Sequence, residues 1–182
     1  MARFEALSAG ARELLDPLVT ISSISQLAIG SGVGSLGTWG SAGWIAANRA
    51  IYVPFRISRA ITVVNMFIIN GVTANGNVDI GIYNDSLAAV WRAGSTAQSG
   101  TDAVQFFAVA NQALAAGMYY MGLVMASATQ TTVLRTTTNV NRLRAYGIVQ
   151  EASALPLPAT MTPAALASAF IPLFGLSTRS VV

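Results

Sequence analysis

Between residues 50 and 151 hydrophobic and polar positions alternate in short runs, with turn residues between them. A period of two marks β-strands, whose successive side chains point to opposite faces. The first run, residues 50–57, is interrupted by Pro54, which lacks a ladder donor and therefore belongs at an edge or a bulge. Residues 61–70 form a long strand that is apolar on both faces, with Ile61, Val63, Phe67 and Ile69 on one and Val64, Met66 and Ile68 on the other. Asn75-Gly76 signals a tight turn. Residues 78–83 then alternate cleanly, Val78, Ile80 and Ile82 facing in and Asp79, Gly81 and Tyr83 facing out. Further strands fall at 88–92, 104–109, 119–125, 131–137 and 144–149, and that at 119–125 is again apolar on both faces. Strands recurring at this spacing, without helical patterns between them, predict an all-β chain built as an antiparallel sandwich.

The flanks read differently. Residues 2–16 fit a short amphipathic helix, with Phe4, Leu7, Ala11, Leu14 and Leu18 near one face and Pro17 at its end. Residues 20–43 are rich in Ser and Gly, which favours an extended segment, and their Ile, Leu and Trp39 suit one lying along a surface. Beyond Glu151, residues 155–158 (Leu-Pro-Leu-Pro) are extended. Thr162-Pro163 opens a short helix through Phe170, and residues 169–176 supply a last strand. The expected organisation is an N-terminal arm over 1–43, a β-sandwich over 44–151 and a short apolar C-terminal extension over 152–182.

Charge sharpens this picture. Charged residues are 9% of the chain, against about 25% in ordinary soluble domains. Such a chain lies in a membrane or buries its surface in an assembly. The longest uncharged stretches are broken by Asn, Gln, Gly and Ser, short of the roughly 20 apolar residues of a spanning helix, so no membrane partner is expected. Glu5, Glu13 and Asp16 interrupt any signal-peptide pattern, and a cytoplasmic site of synthesis is expected. All ten positive charges are arginines, and they are scattered; at a net charge of +3, nucleic acid is not an expected partner.

Catalytic chemistry is poorly supplied. His, Cys and Lys are absent, which removes Ser-His pairs, thiolate and imidazole metal sites and Schiff-base chemistry. Gly32-Val33-Gly34-Ser35-Leu36-Gly37 matches the dinucleotide fingerprint in letters, but no helix start follows it and no acid lies near Ile57. Asp79 with Asp85 is a conceivable carboxylate pair. Asn75, Asn77 and Asp79 are oxygen donors at a spacing calcium accepts, although hairpin chemistry accounts for them equally. No enzyme activity, cofactor or metal is expected.

The run Asn-Val-Asp-Ile-Gly-Ile-Tyr-Asn-Asp at 77–85, followed by Leu-Ala-Ala-Gly-Met-Tyr-Tyr-Met-Gly-Leu-Val at 114–124, resembles small jelly-roll modules in virion proteins of tailed bacteriophages. These include head decoration (cement) proteins and tail-fibre or baseplate domains. The resemblance covers roughly residues 44–151 and transfers no functional residues. It implies an antiparallel jelly-roll β-sandwich, a homotrimer, location in the virion, and the major capsid protein or another virion protein as partner. The arm suits a capsid decoration protein that stabilises the head; the alternative is a receptor-binding module that recognises host-surface glycan. On the first reading, Ile61, Val63, Phe67, Tyr119 and Met121 are candidates for the subunit interface. On the second, Tyr83 and Trp91 are candidate glycan-facing aromatics.

Overall fold

The computed structural model describes residues 20–22, 39–136, 139–152 and 154–178. The amphipathic segment at 2–16 and most of the Ser/Gly-rich tract lie outside the described residues. In chain order the strands are β1 (Thr20–Ser22), β2 (Trp39–Gly43), β3 (Ala50–Ile57), β4 (Ile61–Ile69), β5 (Asn77–Asn84), β6 (Ala89–Arg92) and β7 (Thr96–Ala97). They continue with β8 (Val104–Leu114), β9 (Gly117–Met125) and β10 (Thr131–Thr136). After helix α1 (Val140–Ala145) come β11 (Val149–Glu151), β12 (Ala164–Ala165), β13 (Phe170–Pro172) and β14 (Phe174–Ser177). The all-β expectation holds, and among the described residues every strand pairing is antiparallel.

The strands form three sheets. The largest has the order β12-β11-β3-β9-β5-β6, with β7 also on β5. The second has the order β1-β14-β4-β8, and the third β13-β10-β2. Consecutive strands cross between the two larger sheets: β3 to β4, β4 to β5, β8 to β9. Their facing sides share one core, with Ile51, Val53, Ile80 and Leu123 from the first sheet against Met66, Ile68, Phe107 and Phe174 from the second. Trp44 and Phe170 meet edge to face there, with ring centroids 5.8 Å apart.

Three local expectations are corrected. Residues 144–149 do not form a strand; Val140–Ala145 is helical, because the Asn139 side chain caps its start by accepting the Asn141 amide. Residues 162–170 do not form a helix. Ala164–Ala165 pairs with β11 instead, and the Gln150 side chain accepts the Ala167 amide, so this backbone finds its partners across the chain rather than within a helical turn. In β4, Val63 does not share a face with Phe67. Val63, Met66 and Ile68 all join the main core, and the pairing with β8 shifts between Val63 and Asn65, where β8 carries extra residues around Asn111 (φ 50°).

The boundary drawn at residue 151 does not mark a break in the packing. Leu166, Phe170, Ile171, Phe174 and Leu176 belong to the main core, and β14 lies between β1 and β4. Pro54 sits where its chemistry permits: β11 pairs only with Ala50–Tyr52, so β3 has no partner on that flank at Pro54.

Candidate functional site

Among the described residues, the outward side chains of β3, β9 and β5 bring polar and aromatic groups together. Register places Tyr52 opposite Gly122, and Gly122 opposite Gly81. The missing side chain at Gly122 makes room for two tyrosines: a Cβ there would lie 2.8 Å from the Tyr52 ring and 3.3 Å from that of Tyr83. The two rings meet edge to face over it, 5.3 Å between centroids and 85° between planes, a favoured aromatic geometry. Gly81 does the same for Leu157, whose Cδ1 would be 3.2 Å from an added Cβ.

This face is covered by the chain's own residues 154–161, here called the strap. Ala154, Leu157 and Met161 form a second buried cluster with Ala50, Tyr52, Tyr83 and Val124. The strap is held mainly through its backbone. The Ala154 amide donates to Asn48 O (2.7 Å), the Ala89 amide to Ala159 O (2.8 Å) and the Met161 amide to Leu87 O (3.0 Å). Side chains add to this: the Leu157 amide donates to Asp79 Oδ2 (2.9 Å), Arg92 Nη1 to Leu157 O (2.5 Å) and the Tyr83 hydroxyl to Pro158 O (2.7 Å). Glu151, just before the strap, accepts the Tyr52 hydroxyl (2.9 Å) and, from just past it, the Thr162 amide (3.1 Å) and hydroxyl (2.7 Å).

Burial dominates the electrostatics. It pushes the Tyr52 and Tyr83 hydroxyls well above the ordinary phenol range, so both remain protonated donors. Asp79 is also held above the usual carboxylate range by burial, against the opposing pull of the Leu157, Ile80 and Gly94 amides and of Arg92.

The sequence-derived candidates land in different places. Val63 and Met121 lie in the main core, and Phe67 is buried with its ring 6.4 Å from that of Phe106. Ile61 and Tyr119 are partly buried against the core, and Tyr119 stacks on Phe55 at 5.7 Å. Val63, Phe67 and Met121 are thus buried within this chain and offer no free face to a neighbour. Tyr83 is 0% exposed beneath the strap. Trp91 lies opposite Ile82 and packs against the main core, on the other side of the sheet from Tyr83. The pair therefore forms no common sugar-stacking platform. The second apolar face of 119–125 is covered in part by the strap, which packs on Val124 and Tyr120.

Asp79 and Asp85 do not converge. Asp79 is buried, Asp85 is exposed in the turn after β5, and about 17 Å of extended strand separates Asp79 from Asn84, beyond the roughly 5–9.5 Å used by glycosidase carboxylates. Asn77 donates to the Ser95 hydroxyl at 2.9 Å, and among the described residues no cluster of three acidic, His or Cys side chains is present.

Sequence reasoning missed a second polar cluster. The Gln98 amide nitrogen donates to Asn70 Oδ1 and Thr131 O, both at 2.8 Å. Gln130 Nε2 donates to Gln98 Oε1 (3.0 Å) and Asn77 O (3.1 Å), while Gln130 Oε1 accepts the Ser127 amide (2.9 Å). Asn70 Nδ2 donates to Ser99 O and Gln105 Oε1. These side chains tie together the loops before β5, before β8 and before β10. The signal available in sequence was only a set of amides in loop-like stretches.

One open concavity, about 180 Å³, lies on the unpaired flank of β3, lined by Pro54, Arg56, Met118, Tyr146 and Ile148 among others. Among the described residues, no helix is long and apolar enough to cross a membrane. No protein-family model matches the chain, and no curated protein matches it.

Proposed function

We propose that this chain is a non-enzymatic structural protein of a tailed-bacteriophage virion, a capsid decoration protein that stabilises the head as a homotrimer. The reading starts from the resemblance at 77–85 and 114–124. It is supported by strands that cross repeatedly between two facing sheets, as a jelly roll requires. The observation that carries the association is β8: among the described residues an edge strand, eleven residues long, without one charge, with Phe106 38% exposed. Edge strands of soluble monomers are normally blunted with charge or proline, and the absence of both fits a strand covered in an assembly.

Copy number in purified particles tests this directly. Hundreds of copies, and rebinding of purified oligomer to heads stripped of it, are the expected results. Phe106→Glu should abolish oligomerisation and rebinding while the far-ultraviolet spectrum of the β fold is kept. A stable wild-type monomer that binds no head overturns the proposal. The glycan reading keeps one foothold, the groove beside Arg56 and Tyr146, whose guanidinium and hydroxyl have no partner among the described residues. Host polysaccharide binding lost in Tyr146→Ala would favour it over head decoration.

A further inference from the structure

Asp79 lies beneath the strap with one oxygen unsatisfied. Its side chain is 0% exposed, Oδ2 accepts the Leu157 amide, and Oδ1 has no hydrogen-bond partner. A buried carboxylate left in this state is costly when charged and far less so when neutral. Compensation is partial: the Leu157, Ile80 and Gly94 amides and Arg92 favour the charged form, and burial outweighs them. Across the sheet on β9 its neighbour is Val124. Residues 154–162 carry no ionisable side chain. On β6, Arg92 is an exposed residue whose guanidinium donates to Leu157 O. Tyr83 on β5 and Tyr52 on β3 stay protonated, and Glu151 on β11 is occupied by Tyr52 and Thr162.

We infer that Asp79 is a proton-controlled clasp: neutral, it lets the strap close over the Tyr52–Tyr83 face, and ionised, it loosens the strap and bares that face. The direction follows from linkage. Burial raises the Asp79 pKa in the closed state, so the closed state keeps a proton that the open state releases. Closure is strongest below the ordinary Asp value of about 3.9. It weakens as pH rises from there through the closed-state value and is flat above it. Lifting the strap removes Leu157 from Gly81 and uncovers the two rings packed over Gly122, while Leu166, Phe170 and Phe174 keep the rest of the tail in the main core.

Amide hydrogen exchange on the full chain tests this, with each rate divided by the unstructured rate at the same pH. Protection at Ala154, Leu157 and Met161 should fall with rising pH, approaching tenfold per unit within the titration window. Leu123 in the main core should stay flat. Asp79→Asn keeps an acceptor for the Leu157 amide and should abolish the slope. Arg92→Gln removes the one opposing positive charge and should extend the decline to higher pH. A flat wild-type profile, a rising one, or an unchanged slope in Asp79→Asn overturns the clasp, and the wild-type profile decides even if a variant fails to fold.

Discussion

Two buried polar clusters hold this sandwich together, and they differ in kind. The cluster of Asn70, Gln98, Gln105 and Gln130 is built of neutral amides, and each central donor and acceptor finds a partner. The cluster under the strap contains Asp79, Glu151, Arg92 and two tyrosines, and leaves Asp79 Oδ1 without one. A saturated amide network rigidifies under all conditions, because nothing in it titrates. An ionisable group under a cover makes that cover conditional. The same fold thus fixes its loops at one place and holds its strap by a proton-sensitive contact at another.

The largest expected effect falls on the saturated cluster. Gln98→Leu removes three hydrogen bonds and strands Asn70 Oδ1 and one Gln130 proton, while Thr131 O keeps the Gly71 amide. At about 1–3 kcal/mol for each buried group left unsatisfied, urea denaturation should show a loss of roughly 3–5 kcal/mol, independent of pH. A loss under 1 kcal/mol would break the contrast from that side. Leu157→Ala comes next. It empties the site over Gly81 and should cost about 2–4 kcal/mol, with the loss of exchange protection concentrated in 154–161. A loss spread evenly over the core would mean that strap and core open as one unit. The smallest effect is at Tyr83→Phe, which deletes the donor to Pro158 O while keeping the ring packed on Tyr52. About 1 kcal/mol is expected, read as a small downward shift in the thermal midpoint.

Much of the strand framework was legible because period-two patterning and turn residues are local signals. The run 50–57 matches β3 in full, and 78–83 lies within β5 with the faces assigned as observed. What covers those faces was not legible. Asp79, Gly81 and Tyr83 alternate as solvent-facing residues would, and only the return of residues 154–161 across the sheet turns them into a second core. That return depends on backbone hydrogen bonds to Asn48, Leu87 and Ala89, which leave no mark on side-chain patterning. The irregular pairing of β4 with β8 was hidden for a related reason: the extra length is in β8, and a strand read alone shows no register. For the same reason Tyr83 and Trp91 read as partners in sequence and stand on opposite sides of the sheet.

The position of β14 also orders the protein's birth. Thr20 pairs with Ser177, and β4 receives its β14 neighbour only from residues 174–177. During synthesis the second sheet waits for residues 174–177 to leave the ribosome; until then, among the described residues, β1 has no strand to join and β4 lacks its β14 neighbour. Pairings this distant in sequence fold slowly and leave nascent chains open to aggregation. A chain stopped short near residue 160 would lose the middle of that sheet, so residues 174–177 must be present before β1 and β4 can be joined through it.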